Sequence, residues 1–131
     1  MNEEVLEVLK NNLWDIATCS DNMPNVVPVG FKTVTEDGKL VIADVFMETT
    51  TANLAANNGR IAISAFDAKT MKGYQIQGTA VRVTEGPAFD AMAKMADALF
   101  KGACPAKGAL VVTPEKIIVT TPGKNNKKVL A

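Results

Sequence analysis

Gly73-Tyr74-Gln75-Ile76-Gln77-Gly78-Thr79-Ala80-Val81-Arg82-Val83-Thr84-Glu85-Gly86-Pro87-Ala88-Phe89-Asp90 is the stretch whose reading decides the fold. Gly73 to Thr84 reads as one long strand, rich in β-branched residues and alternating in polarity. Gly86-Pro87 stops it. Pro87 suits the first turn of a helix, where its missing N–H costs nothing. Phe89, Met92, Ala93, Ala96, Leu99 and Phe100 then recur at three- and four-residue intervals, an apolar helical stripe that Gly102 ends.

Upstream, Arg60 to Asp67 is a strand, joined to the long one by a polar loop, Ala68 to Lys72, with two lysines. Before it, Glu48-Thr49-Thr50-Thr51-Ala52-Asn53-Leu54 reads as a helix start, with Thr50 or Thr51 as the cap of a short helix through Ala56. Asn57-Asn58-Gly59 ends that helix, Gly59 being free to take positive φ. Glu36-Asp37-Gly38-Lys39 carries the Asp-Gly hairpin signal between Val26–Val34 and Leu40–Val45. Pro28 inside the first of these strands marks an edge, a bulge or a split. Trp14 to Thr18 alternates as a strand, and Ser20 to Pro24 is a turn cluster. Val5, Leu6, Leu9 and Leu13 give an N-terminal helix that plugs one end of a sheet. Ala109–Thr113 and Lys116–Thr121 read as two final strands, and Pro122 to Lys128 as a free, solvated, lysine-rich end.

About seven short strands with two or three helices favour an antiparallel barrel over a parallel βαβ sheet. Only the links at residues 46–59 and 86–108 contain helices between strands. At 131 residues the chain is one domain, 1–131, large enough for a core without disulfides or metals. Lys plus Arg and Asp plus Glu are 14 each, so no net field draws the chain to nucleic acid or an anionic membrane. No apolar run approaches the roughly 18 residues a membrane span needs. Acidic Met1-Asn2-Glu3-Glu4 is no signal peptide, and a cytoplasmic setting is expected. The two cysteines, Cys19 and Cys104, read as small buried apolar groups and form no metal or redox pair by spacing. There is no histidine, which removes Ser-His-Asp and Cys-His chemistry and a proximal-His haem. No catalytic side-chain set and no metal site emerges, so any reaction belongs to a bound cofactor.

The long strand into Gly86-Pro87, the Asp37-Gly38 hairpin, and Ala52-Asn53-Leu54 followed by Ile61-Ala62-Ile63-Ser64 resemble the small FMN-binding split-barrel proteins, relatives of pyridoxamine phosphate oxidase. The resemblance runs from about Val5 to Thr121. It implies a mainly β protein with peripheral helices: a six-stranded antiparallel split β-barrel, homodimeric, with FMN in grooves between subunits. It implies that Pro28, Val29, Gly30 and Phe31 lie along the isoalloxazine edge. Ala43, Asp44 and Val45 form the other wall, and Thr49, Thr50 and Thr51, with Asn53 beside them, bind the phosphate. Physical reasoning agrees at that turn, since hydroxyls at a helix N-terminus supply donors and partial positive charge; ordinary capping by one threonine is the alternative.

Many relatives place a Lys or Arg in this turn, where this chain has Thr49 preceded by Glu48. A lost charge-assisted hydrogen bond of about 1.5–3 kcal/mol weakens binding roughly tenfold to 150-fold. Lys69 and Lys72 read as a solvated loop, with supply of that charge as the alternative. Trp14 reads as core and Tyr74 as a groove or dimer-interface aromatic. If Asp44 faces the ring, Asp44→Asn raises the flavin's reduction potential. The expected function is a small flavin oxidoreductase or electron-transfer protein with a small-molecule or protein redox partner. A cofactor-free interaction module and a deazaflavin binder of the same fold are the rivals. The basic C-terminal elements of pyridoxamine phosphate oxidation itself, and the His of nitroimidazole-reductase relatives, are not found in this sequence.

Overall fold

The computed structural model describes residues 1–130. Among the described residues, one seven-stranded antiparallel sheet curls into a split barrel with three helices. The strands are β1 (Trp14–Ser20), β2 (Met23–Val29), β3 (Lys32–Val34), β4 (Leu40–Asp44), β5 (Arg60–Asp67), β6 (Lys72–Val83) and β7 (Gly108–Val119). The helices are α1 (Glu3–Asn11), α2 (Thr49–Ala56) and α3 (Pro87–Phe100). The strand order is β2-β1-β5-β6-β7-β4-β3, so the two edge strands, β2 and β3, are consecutive in the chain. Only Gly30-Phe31 separates them, which is where the barrel is split.

The strand expected over Val26–Val34 is therefore two strands on opposite edges, broken two residues after Pro28. Pro24 and Pro28 both lie in the edge strand β2, where a missing N–H removes no ladder bond. Conversely, the two final strands expected after Ala109 are one, β7. Gln77 pairs with Lys116 and Gly78 with Pro114, so Glu115 is the extra residue of a β-bulge. The bulge accommodates Pro114 inside a central strand and produces the break that reads as a turn. The total is seven strands rather than the six of the family pattern.

Asp21 and Asn22 both take positive φ, 52° and 61°, as a two-residue hairpin of the right twist requires between β1 and β2. Gly38, at φ 84°, closes the β3–β4 hairpin, with Thr35 N–H donating to Lys39 O at 2.9 Å. Gly59, at φ 78°, closes α2 by donating to Leu54 O at 2.9 Å. α1 starts at Asn2, whose side chain accepts from Val5 N–H, and it buries Val5, Val8 and Leu9 against β3, β5 and β6. It is the expected plug, but Val8 rather than Leu13 completes its buried face; Leu13 is past the helix end and exposed.

The barrel interior holds Trp14, Ile16, Leu40, Ile42, Ile63, Ile76, Leu110 and Val112. Trp14 is core, its indole N–H donating to Leu9 O at 2.8 Å, with Lys32 Nζ 5.2 Å above the ring. Burial lowers the Lys32 ammonium below its ordinary pKa. A second core, Val41, Ala43, Met92 and Ala109, lies where α3 packs on β4 and β7. Tyr74 is buried, its hydroxyl 3.5 Å from Glu4, and burial pushes the phenol pKa up. The cysteines are not the buried groups expected: Cys19 is exposed on the outward face of β1, and Cys104 is half-buried in the loop after α3.

The C-terminal segment is not a free end. Lys127 N–H donates to Val119 O at 2.7 Å, Val119 N–H to Lys128 O at 2.8 Å, and Leu130 N–H to Ile117 O at 2.8 Å. Leu130 packs on the barrel core. The lysines are solvated while the backbone around them is pinned. Deleting residues 123–131 is expected to destabilise the protein by on the order of 1–2 kcal/mol, because three hydrogen bonds to β7 and the contact of Leu130 with the core are lost. Urea melts of the two proteins check this; coincident midpoints would refute it.

Candidate functional site

The split between the barrel edges opens into a cleft of about 470 Å³, within the range that holds small-molecule cofactors. One wall is β2 and the break after it, with Val27, Pro28, Val29, Gly30 and Phe31. The opposite wall is the end of β4 and the turn beyond, with Ala43, Val45, Phe46 and Met47. Ala43 N–H donates to Phe31 O at 2.9 Å, which fixes the floor between the two walls. Phe100, from the last turn of α3, completes the apolar end. Its ring meets Phe31 edge-on at 5.4 Å and Phe46 at 6.5 Å.

The other end of the cleft is polar, formed by Glu48, Thr49, Thr50 and Asn25. Glu48 is the N-cap of α2, and its side chain makes no capping hydrogen bond. The threonine cap expected at Thr50 or Thr51 is therefore not formed. Thr51 Oγ donates back to Glu48 O at 3.0 Å, and Thr50 Oγ accepts from Asn25 Nδ2 at 3.2 Å. A helix N-terminus leaves its first N–H groups without intrahelical partners. Here those groups, with the Thr49 hydroxyl, are the donors at the polar end.

Pro28, Val29, Gly30, Phe31, Ala43, Val45, Thr49 and Thr50 thus come together around one cleft. Asp44, Thr51 and Asn53 do not line it. Asn53 is on the buried face of α2, turned to β1, and donates to Thr18 Oγ at 3.1 Å. The Asp44 carboxylate pairs with Arg82 Nε at 3.0 Å and lies 3.8 Å from Lys107 Nζ. Lys69 and Lys72 sit at the β5–β6 turn, where Lys72 pairs with Glu4 at 3.5 Å, so neither lines the polar end.

The sequence reading missed Asn25, Val27, Phe46, Met47, Glu48 and Phe100 as cleft residues. Phe100 was absorbed into the α3 stripe, although its place in the last turn lets it leave the helix–sheet interface. It also missed the partners of Asp44. Two signals pointed to them: a carboxylate inside the otherwise apolar run Leu40–Val45, and Arg82 as the one charged residue between Gly73 and Thr84. A buried carboxylate needs a cation.

A family model described as pyridoxamine 5'-phosphate oxidase matches residues 1–121. No curated protein gives a significant match. Among solved structures, HupZ of Group A Streptococcus superimposes with a TM-score of 0.81 at 25% identity, over 95% of this chain and 98% of that one. An FMN-binding protein from Syntrophomonas wolfei subsp. wolfei gives 0.79 at 21% identity, over 95% and 91%. A structure described as an F420 reductase gives 0.65 at 19%, over 88% and 94%.

Proposed function

The chain belongs to the pyridoxamine 5'-phosphate oxidase family, and from that premise we propose that it is an FMN-binding flavoprotein, a small oxidoreductase or electron-transfer protein. The observation that carries the reading is the cleft itself: apolar and aromatic along its length, and ending at an N-terminus of α2 that no side chain caps. Its chemistry fits a planar ring system joined to a phosphate. The ring would lie between Pro28–Phe31 and Ala43–Val45. The phosphate would take its hydrogen bonds from Thr49, Thr50 and the first N–H groups of α2. Bound FMN would supply one- and two-electron redox chemistry; the chain's own part is to hold the ring, limit water at it and orient its exposed face.

Phe46 is 74% exposed at the lip of the cleft, and Val26 is 66% exposed on the edge strand β2. An exposed aromatic ring at an open cleft, beside an edge strand that also exposes a valine, favours cover by a second copy of the chain. The proposed assembly is a homodimer with a flavin at each groove. Sedimentation should then give twice the 13.9 kDa of the chain. The expected setting is cytoplasmic, with a small-molecule or protein redox partner. No described helix is long and apolar enough to cross a membrane.

The test is the visible spectrum of gently purified protein, followed by titration with FMN, riboflavin and the deazaflavin F420. The expected result is an oxidised-flavin spectrum that survives desalting near one flavin per subunit, with FMN bound more tightly than either competitor. Preference for F420 would make the protein a deazaflavin binder. No spectral shift or flavin quenching with any of the three would overturn the cofactor reading and leave an interaction module.

A further inference from the structure

The turn from Val45 to Glu48 forms one wall of the cleft and leads into α2, yet it lies beyond the β4 ladder. What holds it is a carboxylate. Asp44 is 1% exposed, and its Oδ1 accepts from Met47 N–H at 3.1 Å. Its Oδ2 accepts from Arg82 Nε at 3.0 Å. Lys107 Nζ, 3.8 Å from Asp44 Oδ1, donates to Met47 O at 2.9 Å. Both backbone groups of Met47 are thereby gripped, one by Asp44 and one by Lys107.

The rest of the arrangement is built around these contacts. Lys107 N–H donates to Asp44 O at 2.7 Å, and Arg82 Nη2 donates to Lys107 O at 3.3 Å. A Cβ on Gly108 would stand 3.0 Å from Arg82 Cζ and Nη2, so the glycine makes room for the guanidinium. Two cations against one carboxylate leave one positive charge in excess, next to a turn whose own sequence carries Glu48 and no base.

We propose that Asp44, through Arg82 and Lys107, is a positioning residue of the cleft: it fixes the Val45–Glu48 turn by way of Met47, and so places the N-terminus of α2 for an anionic ligand. The inference rests on the flavin reading for the identity of that ligand, and on the geometry alone for the hold on the turn. A carboxylate so engaged does not face the ring, so its effect on a bound flavin is on affinity rather than on potential.

The experiment measures amide hydrogen exchange in the flavin-free protein and FMN affinity by fluorescence quenching. It compares wild type with Asp44→Asn, Lys107→Met and Lys107→Arg. The expected result is Met47 amide exchange about tenfold faster in the first two variants, with β5 amides unchanged. FMN affinity falls about tenfold in the same two. Lys107→Arg keeps both near wild type. A role in global stability alone would speed β5 and Met47 exchange together, which overturns the proposal. So does an unchanged Met47 amide, or a loosened Met47 with undiminished FMN affinity. Failure of wild type to bind FMN removes the flavin reading instead, and Met47 exchange then decides by itself whether the network holds the turn.

Discussion

Gly78→Val is expected to destabilise the protein by about 3–5 kcal/mol and to lower its melting temperature by roughly 10–20 °C. Gly78 sits in the central strand β6, at the register shift against β7. A Cβ there would overlap Thr113 O and stand 3.0 Å from Thr113 C and 3.2 Å from Pro114 Cα. All three are backbone atoms of a strand paired on both sides, so no side-chain rotation relieves the contact. The bulge at Glu115 has to move, and with it the ladder that carries β7 to β4 and the cleft floor. Gly30→Ala is the control: its Cβ would meet only the Leu13 side chain, at 3.5 Å, an ordinary contact. It is expected to melt within about 0.5 kcal/mol of wild type. Calorimetry of the two variants decides; equal melting temperatures would show that β6 and β7 separate freely at the bulge.

The same bulge marks where reading the sequence reaches its limit. β5 was legible residue for residue, because Arg60–Asp67 alternates cleanly and is bounded by Gly59 and a polar turn. β6 was legible within one residue for the same reason. β7 was not, since Pro114 and Glu115 carry the signature of a turn, and only the pairing with Gly78 shows that the strand continues through them. The break at Gly30-Phe31 was signalled only in part, since Pro28 reads as an edge, a bulge or a split and does not say which. Local propensity is extended on both sides, and what separates β2 from β3 is barrel closure, a property of the whole sheet. The C-terminal segment misled by composition: its lysines are exposed as expected, but Leu130, two residues past the last of them, brings the backbone down onto Ile117.

The cleft was legible where it follows the backbone course of adjoining strand ends and turns, at Pro28–Phe31, Ala43, Val45 and Thr49–Thr50. It was not legible where side chains arrive from elsewhere in the chain. Asp44 shows the difference. Its position at the end of β4 put it beside the cleft, but strand alternation alone does not say which neighbour a terminal side chain takes. Arg82 and Lys107 supply that answer from strands and loops 38 and 63 residues further on. Phe100 is a second case, brought in by the length of α3 rather than by any local motif.

The polar end of the cleft yields the second large effect. Glu48→Lys is expected to tighten FMN binding by about 10- to 100-fold at low salt, because it exchanges a carboxylate at the phosphate end for a charge-assisted donor of about 1.5–3 kcal/mol. Thr49→Glu is expected to weaken it by a similar factor. Riboflavin, which shares the ring and lacks the phosphate, should change by less than about twofold in either variant. Stability should move the other way. A carboxylate in the first turn of α2 favours the helix dipole by about 0.3–1 kcal/mol, and a lysine at the N-cap opposes it by a like amount. Thr49→Glu should thus melt slightly higher while holding FMN less, and Glu48→Lys the reverse. A general loosening of the cleft would lower stability and affinity together and would treat the two flavins alike. Raising the salt should shrink the FMN effect, since Glu48 and Thr49 are both exposed and the interaction is screened over roughly 8 Å at physiological ionic strength. If FMN and riboflavin shift equally, the phosphate lies elsewhere than at α2. Opposite signs in affinity and stability, confined to the phosphorylated flavin, are what an anion seated on this helix terminus requires.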